Sequence, residues 1–115
     1  MSLRYEDLDP DVRFITLSGR LDTVGSEEIA GELSSLAESA HRGVVIDLSQ
    51  VTFLSSMGIR ALIAAAKARQ AKGSGRVVLL VDGSDVVERT LEATGVGDLI
   101  PVFDNEDDAE KAAVA

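Results

Sequence analysis

The spacing of apolar positions changes several times along this chain, and each change marks an element. Val12, Phe14, Ile15 and Leu17 alternate with Arg13, Thr16 and Ser18, the pattern of a strand that Gly19 ends. Residues 3–8 are more weakly patterned, and the turn signal Asp9-Pro10-Asp11 predicts that they form a hairpin with 12–18. After Gly19-Arg20-Leu21-Asp22 the period lengthens. Ile29, Leu33, Leu36, Ala37 and Ala40 fall on one helical stripe, with Thr23 or Ser26 as its cap and Glu27 and Glu28 suited to its first turn. Gly31 inside this helix costs about 1 kcal/mol relative to alanine, a cost that close approach to the sheet would explain.

Arg42-Gly43 interrupts the helix, and Val44–Leu48 reads as a strand covered on both faces, with Asp47 its one polar residue. A polar turn and a short apolar piece follow before a second helical pattern begins at Ser56 or Met57. Its stripe is Ile59, Leu62, Ile63 and Ala66, with Arg60 and Lys67 pointing elsewhere and Lys67, Arg69 and Lys72 at the end where the dipole favours cations. Gly73-Ser74-Gly75 stops it. Arg76–Val81 is the clearest strand; with Val44–Leu48 it should be central. Ser84 is placed to cap a short helix through Val87 and Leu91 that Gly95 ends. Leu99–Phe103 is a last short strand held to an edge by Pro101, and Asp104 or Asn105 caps a final helix carrying Ala109, Ala112 and Ala113. The order β-β-α-β-α-β-α-(β)-α predicts one α/β domain over residues 1–115. Its mixed, mostly parallel sheet has four to five strands and four helices.

Composition narrows the function. With three Phe, one Tyr and no Trp among 115 residues, the core must be built from Val, Ile, Leu and Ala. A net charge of -9 argues against nucleic-acid binding, which needs clustered Lys and Arg, and suits a basic protein partner. No cysteine is available for thiol chemistry, and the single His41 cannot build a multi-histidine metal site; it is expected to be solvated. The charged N-terminal residues do not read as a signal peptide, and no apolar run approaches the roughly 20 residues that span a bilayer. A cytoplasmic protein without membrane contact is expected.

Enzyme signatures are absent: there is no Gly-x-Ser-x-Gly elbow, no phosphate-loop lysine and no His-Glu-x-x-His. The acidic run Asp104–Asp108 lacks the glycine and distal glutamate of a calcium loop. A non-enzyme with no metal and no cofactor is expected. Asp47 is read as a carboxylate held by loop N–H groups. Attention therefore falls on Ser55 and Ser56, which stand where the second helical pattern begins. A hydroxyl there can cap the helix, and the same position welcomes a phosphate beside free N–H groups and the positive end of the dipole. Met57 reads either as core cover or as a soft contact for a partner. Gly58 permits either local flexibility or close approach by a partner or a phosphate.

These segments resemble the STAS domain, the fold of bacterial anti-sigma factor antagonists. Val51-Thr52-Phe53-Leu54-Ser55-Ser56-Met57-Gly58-Ile59 is similar to the family's Val-x-Phe-x-Asp-Ser-x-Gly-Leu signature. The turn Gly19–Asp22, the strand end Val45–Ser49 and the helix exit Leu91–Val96 occur in the family's order and spacing. The resemblance implies a phosphorylation-controlled protein-interaction switch. Such a switch binds an anti-sigma factor with serine kinase activity and thereby frees a sigma factor. It implies Ser56 as the phosphoacceptor, ahead of Ser55, and Asp22 near the partner surface. Both segments follow strand ends and should meet at one end of the sheet, which predicts a partner surface of Asp22, Thr23, Ser55, Ser56, Met57, Gly58 and Arg60. Ser55 replaces the family's acidic residue. The alternative is a constitutive or ligand-sensing STAS module without phosphorylation, binding a nucleotide or serving in a larger regulatory or transport complex. Either would be a monomer or weak dimer.

Overall fold

The computed structural model describes residues 1–8 and 11–115. Among them five strands form one sheet in the order β1 (Ser2–Leu8), β2 (Val12–Leu21), β3 (Gly43–Leu54), β4 (Val77–Leu80) and β5 (Val102–Phe103). The first two are antiparallel, with Leu8 opposite Val12, and the other neighbours are parallel. The hairpin and the mixed sheet are as the alternation predicts; the turn residues Asp9 and Pro10 lie outside the described residues. Four helices, α1 (Thr23–Ser39), α2 (Ser56–Gln70), α3 (Asp85–Thr94) and α4 (Glu106–Val114), join or follow the strands.

Side-chain alternation along β3 splits the core in two. Val44, Ile46 and Leu48 pack with Ile29 and Leu33 of α1, Leu62 of α2 and Leu91 of α3. Val45 faces the other way, joining Val12, Val78 and Leu80 under Ala109 and Ala113 of α4. β4 lies between β3 and β5 with all four residues buried, which is why its run is uniformly apolar. Among the described residues, no helix is long and apolar enough to cross a membrane.

Several local expectations need correction. β3 does not stop at Leu48 but runs on to Leu54. Its register against β2 shifts between Thr16 and Ser18 and again between Gly19 and Arg20, so Gln50 turns outward while Val51 and Leu54 return to the core. Asp22, rather than Thr23 or Ser26, caps α1, which places Glu27 and Glu28 beyond its first turn. Gly31 approaches nothing, since a Cβ there would meet no atom within 4 Å. The inner face of α2 is Gly58, Ile59, Ala61, Leu62, Ala65 and Arg69. Arg69 stands in the last turn of α2, as expected, but is only 3% exposed and donates to the Ala40 carbonyl, so it ties the two helix ends together; burial lowers its pKa. The last strand shortens to Val102–Phe103, and Leu99 is exposed beside a 3₁₀ turn, Val96–Asp98.

Other readings hold. Gly95 ends α3 in the left-handed conformation, and Asn105 caps α4 by accepting from the Asp108 N–H at 2.9 Å. Ser84 occupies the cap position of α3 without a side-chain cap bond. The Asp47 carboxylate accepts from the Ser49 N–H at 2.9 Å, and His41 is exposed, 3.4 Å from the Asp11 carboxylate.

Candidate functional site

β2 and β3 are parallel and end side by side, with Leu21 opposite Leu54. The next residue of each chain segment, Asp22 and Ser55, caps the helix that follows. Parallel pairing therefore brings the starts of α1 and α2 to one end of the sheet. The two starts are stitched together: the Ser55 N–H donates to the Leu21 carbonyl at 2.9 Å, and the Ser55 hydroxyl donates to the same oxygen at 2.7 Å. That hydroxyl also accepts from the Gly58 N–H at 3.2 Å, the bond that caps α2. Ser55 is thus the cap, and its hydroxyl is engaged as donor and as acceptor.

Ser56 differs in each respect. It is the first residue of α2, exposed, and its hydroxyl makes no hydrogen bond among the described residues. The N–H groups of Ser56 and Met57 are likewise unpartnered there, as the start of a helix dictates. An anion carried by the Ser56 oxygen would meet these donors and the positive end of the α2 dipole.

Around Ser56 the surface is mixed. Asp22 accepts from the Gly25 N–H at 2.8 Å and lies 3.5 Å from Arg20 Nε; that backbone bond, with help from Arg20, holds its carboxyl below the usual range. Thr23 and Arg60 are exposed, and Met57 is half-buried with its sulfur 3.9 Å from Arg60 Nη1. Gly58 stands apart from these. It is buried, and a Cβ there would fall 2.8 Å from Leu54 Cδ1 and 2.9 Å from the Leu21 carbonyl oxygen. Its glycine lets α2 press against the end of β2, so the close approach is made by the protein's own backbone.

Three exposed residues join this end of the sheet without having been singled out by sequence. The Arg20 guanidinium stacks over the Phe53 ring at 4.5 Å, and Val24 follows the α1 cap in the open. The signal for Phe53 was the period: with Leu54 turned inward, its neighbour must face out. Gly25, too, is required here, since a Cβ would fall 2.1 Å from the Arg20 carbonyl oxygen.

The family model for the STAS domain matches residues 7–109. The chain belongs to the STAS domain family. This STAS domain is similar to BtrV of Bordetella bronchiseptica, named as a candidate anti-sigma factor antagonist, with 28% identity over 97% of this chain and 94% of that protein. Its fold superimposes on the crystal structure of an anti-sigma factor antagonist from Mycobacterium paratuberculosis with a TM-score of 0.80 and 26% identity, covering 97% and 92% of the two chains. An anti-sigma-factor antagonist (STAS) domain protein from Planctomyces limnophilus gives a TM-score of 0.80 and 25% identity over 97% of each chain.

Proposed function

We propose that this STAS domain is an anti-sigma factor antagonist whose binding to an anti-sigma factor is switched off by phosphorylation of Ser56. The partner is an anti-sigma factor with serine kinase activity, and capturing it in the cytoplasm frees a sigma factor. The antagonist role is supported by the relatives named for it, and the choice of residue by one observation: Ser55 spends its hydroxyl on the Leu21 carbonyl and the Gly58 N–H, while the Ser56 hydroxyl is exposed and has no hydrogen bond among the described residues.

The switch follows from charge and position. A phosphate adds about -1.5 to -2 charges and three acceptor oxygens. The start of α2 offers unpartnered N–H groups, so the fold has a way to carry that charge. A partner docked over Asp22, Thr23, Met57 and Arg60 against a neutral hydroxyl does not, and it is expelled by bulk and by the cost of desolvating the new charge.

The test is phosphopeptide mapping after incubation with ATP and the cognate anti-sigma factor, combined with binding measurements. Ser56 should be the modified residue. Ser56→Ala should stay bound under phosphorylating conditions, and Ser56→Asp should bind poorly. Binding that persists with no modification would favour the constitutive module.

A further inference from the structure

Among the described residues, the outer side of β1 has no partner. This strand pairs with β2 on one side only and leaves a row of N–H and C=O groups open along seven residues. Such an edge is a template for another strand unless charges guard it. β1 carries three charges, but they are not equivalent. Asp7 is engaged within the chain, its carboxylate 2.7 Å from Arg13 Nε. Arg4 and Glu6, two apart on one face of the strand, have no ion-pair partner among the described residues. Between them Tyr5 is 52% exposed on the opposite face, its ring 4.9 Å from the Arg13 guanidinium.

The order Arg4-Tyr5-Glu6 is complementary to its own reverse. Two copies of an edge strand joined antiparallel about a two-fold axis must set like-parity residues opposite each other, because outward N–H and C=O groups recur at every second residue. An axis through Arg4 faces that cation with itself, and an axis through Glu6 faces that carboxylate with itself. Axes farther toward either end pair only short pieces of Ser2–Leu8. An axis through Tyr5 sets Arg4 opposite the second copy's Glu6, Glu6 opposite its Arg4, and Ser2 opposite its Leu8. That register alone uses the whole strand and turns both free charges into cross-strand pairs, with the two tyrosines covering one another.

We propose that the β1 edge is the contact of a weak symmetric dimer, in which two copies of this chain join β1 to β1 antiparallel about Tyr5. The two five-stranded sheets become one continuous sheet. Ser56, at the end of β3, is not on this edge. The dimer is weak because a single short strand and two exposed ion pairs hold it against the repulsion of two chains of charge -9.

Sedimentation equilibrium of the full chain from micromolar to millimolar concentration tests this, with circular dichroism to verify that each variant is folded. The wild type should show a reversible monomer–dimer equilibrium. Arg4→Glu or Glu6→Arg puts two like-charge pairs across the axis and should weaken the dimer roughly tenfold or more. The double variant Arg4→Glu/Glu6→Arg should recover the wild-type constant, and an equimolar mixture of the two single variants should form a heterodimer tighter than either homodimer. A wild type that stays monomeric at millimolar concentration, its edge then being guarded or reserved for another protein's strand, would overturn the proposal. So would a dimer indifferent to single reversals, or a double variant no tighter than the singles.

Discussion

Replacing Gly58 with alanine adds one methyl group at the point where α2 presses on the end of β2. A Cβ there falls 2.8 Å from Leu54 Cδ1, 2.9 Å from the Leu21 carbonyl oxygen and 3.0 Å from the Leu21 Cβ. The leucine methyl can swing aside. The carbonyl cannot, because it already accepts from the Ser55 N–H and the Ser55 hydroxyl. Relief must come from moving α2 outward, and overpacking of this kind costs about 1–3 kcal/mol. Alanine's better helix propensity offsets about 0.5–1 kcal/mol of that. The net expectation is a loss of about 1 kcal/mol, within a range of about 0–2.5 kcal/mol, or a fall in Tm of roughly 4 °C for a chain of this size. Gly31→Ala is the control: nothing lies within 4 Å of its Cβ, and the same substitution should gain about 0.5–1 kcal/mol. Urea unfolding of the wild type and both variants, read with their m-values, gives the two signs. A Gly58→Ala variant that gains as much stability as Gly31→Ala would refute the close packing on which the site's construction rests.

Neighbouring serines should behave differently: Ser55→Ala should lose about 1–2 kcal/mol with its cap and its bond to Leu21, and Ser56→Ala should stay within about 0.5 kcal/mol in the same denaturation assay. Arg60→Glu, exposed and outside the core, should weaken anti-sigma factor binding roughly tenfold by calorimetry while leaving Tm unchanged; unaltered affinity would remove Arg60 from the surface. Asp7, held down by its bond to Arg13, and Asp22, held down by the Gly25 N–H, both release protons more readily in the folded chain than in the unfolded one. Their contribution is therefore present above about pH 4 and lost as pH falls through the lower folded values. Asp7→Asn combined with Asp22→Asn should flatten the decline of stability in acid, and an unchanged pH slope would contradict those bonds.

The parts of this fold visible in the sequence are those in which side-chain period alone decides. The alternation at Val12–Leu17, the Val-rich runs at 44–48 and 77–81 and the left-handed stop at Gly95 all give elements where they are expected. What stayed hidden depends on register. β3 looks broken at Ser49-Gln50 because its polar residues turn outward only through the shifts against β2. Arg69 carries the composition of a solvated helix end, yet packing of α2 against α1 leaves it inside, bonded to Ala40. Gly31 and Gly58, each inside a helix, look alike in sequence; only the position of Leu21 makes Gly58 tightly packed and leaves Gly31 idle. The candidate site was legible as a place, the serines before α2, but not as a division of roles, because that division is set by a carbonyl thirty-four positions away.

That division explains how the site can do without the family's acidic residue. An aspartate before the acceptor serine can accept from the first turn of the helix, as capping requires, but a carboxylate cannot donate. Here the residue that caps α2 does both, since its hydroxyl also donates to the Leu21 carbonyl at 2.7 Å. A serine meets both demands with one group, accepting from Gly58 and donating to Leu21. It also leaves the approach to Ser56 with one negative charge fewer than an aspartate would bring, so a phosphate there would face less repulsion from the adjacent position. On the proposed reading, the substitution keeps the helix start fixed and leaves the Ser56 hydroxyl as the group to be modified.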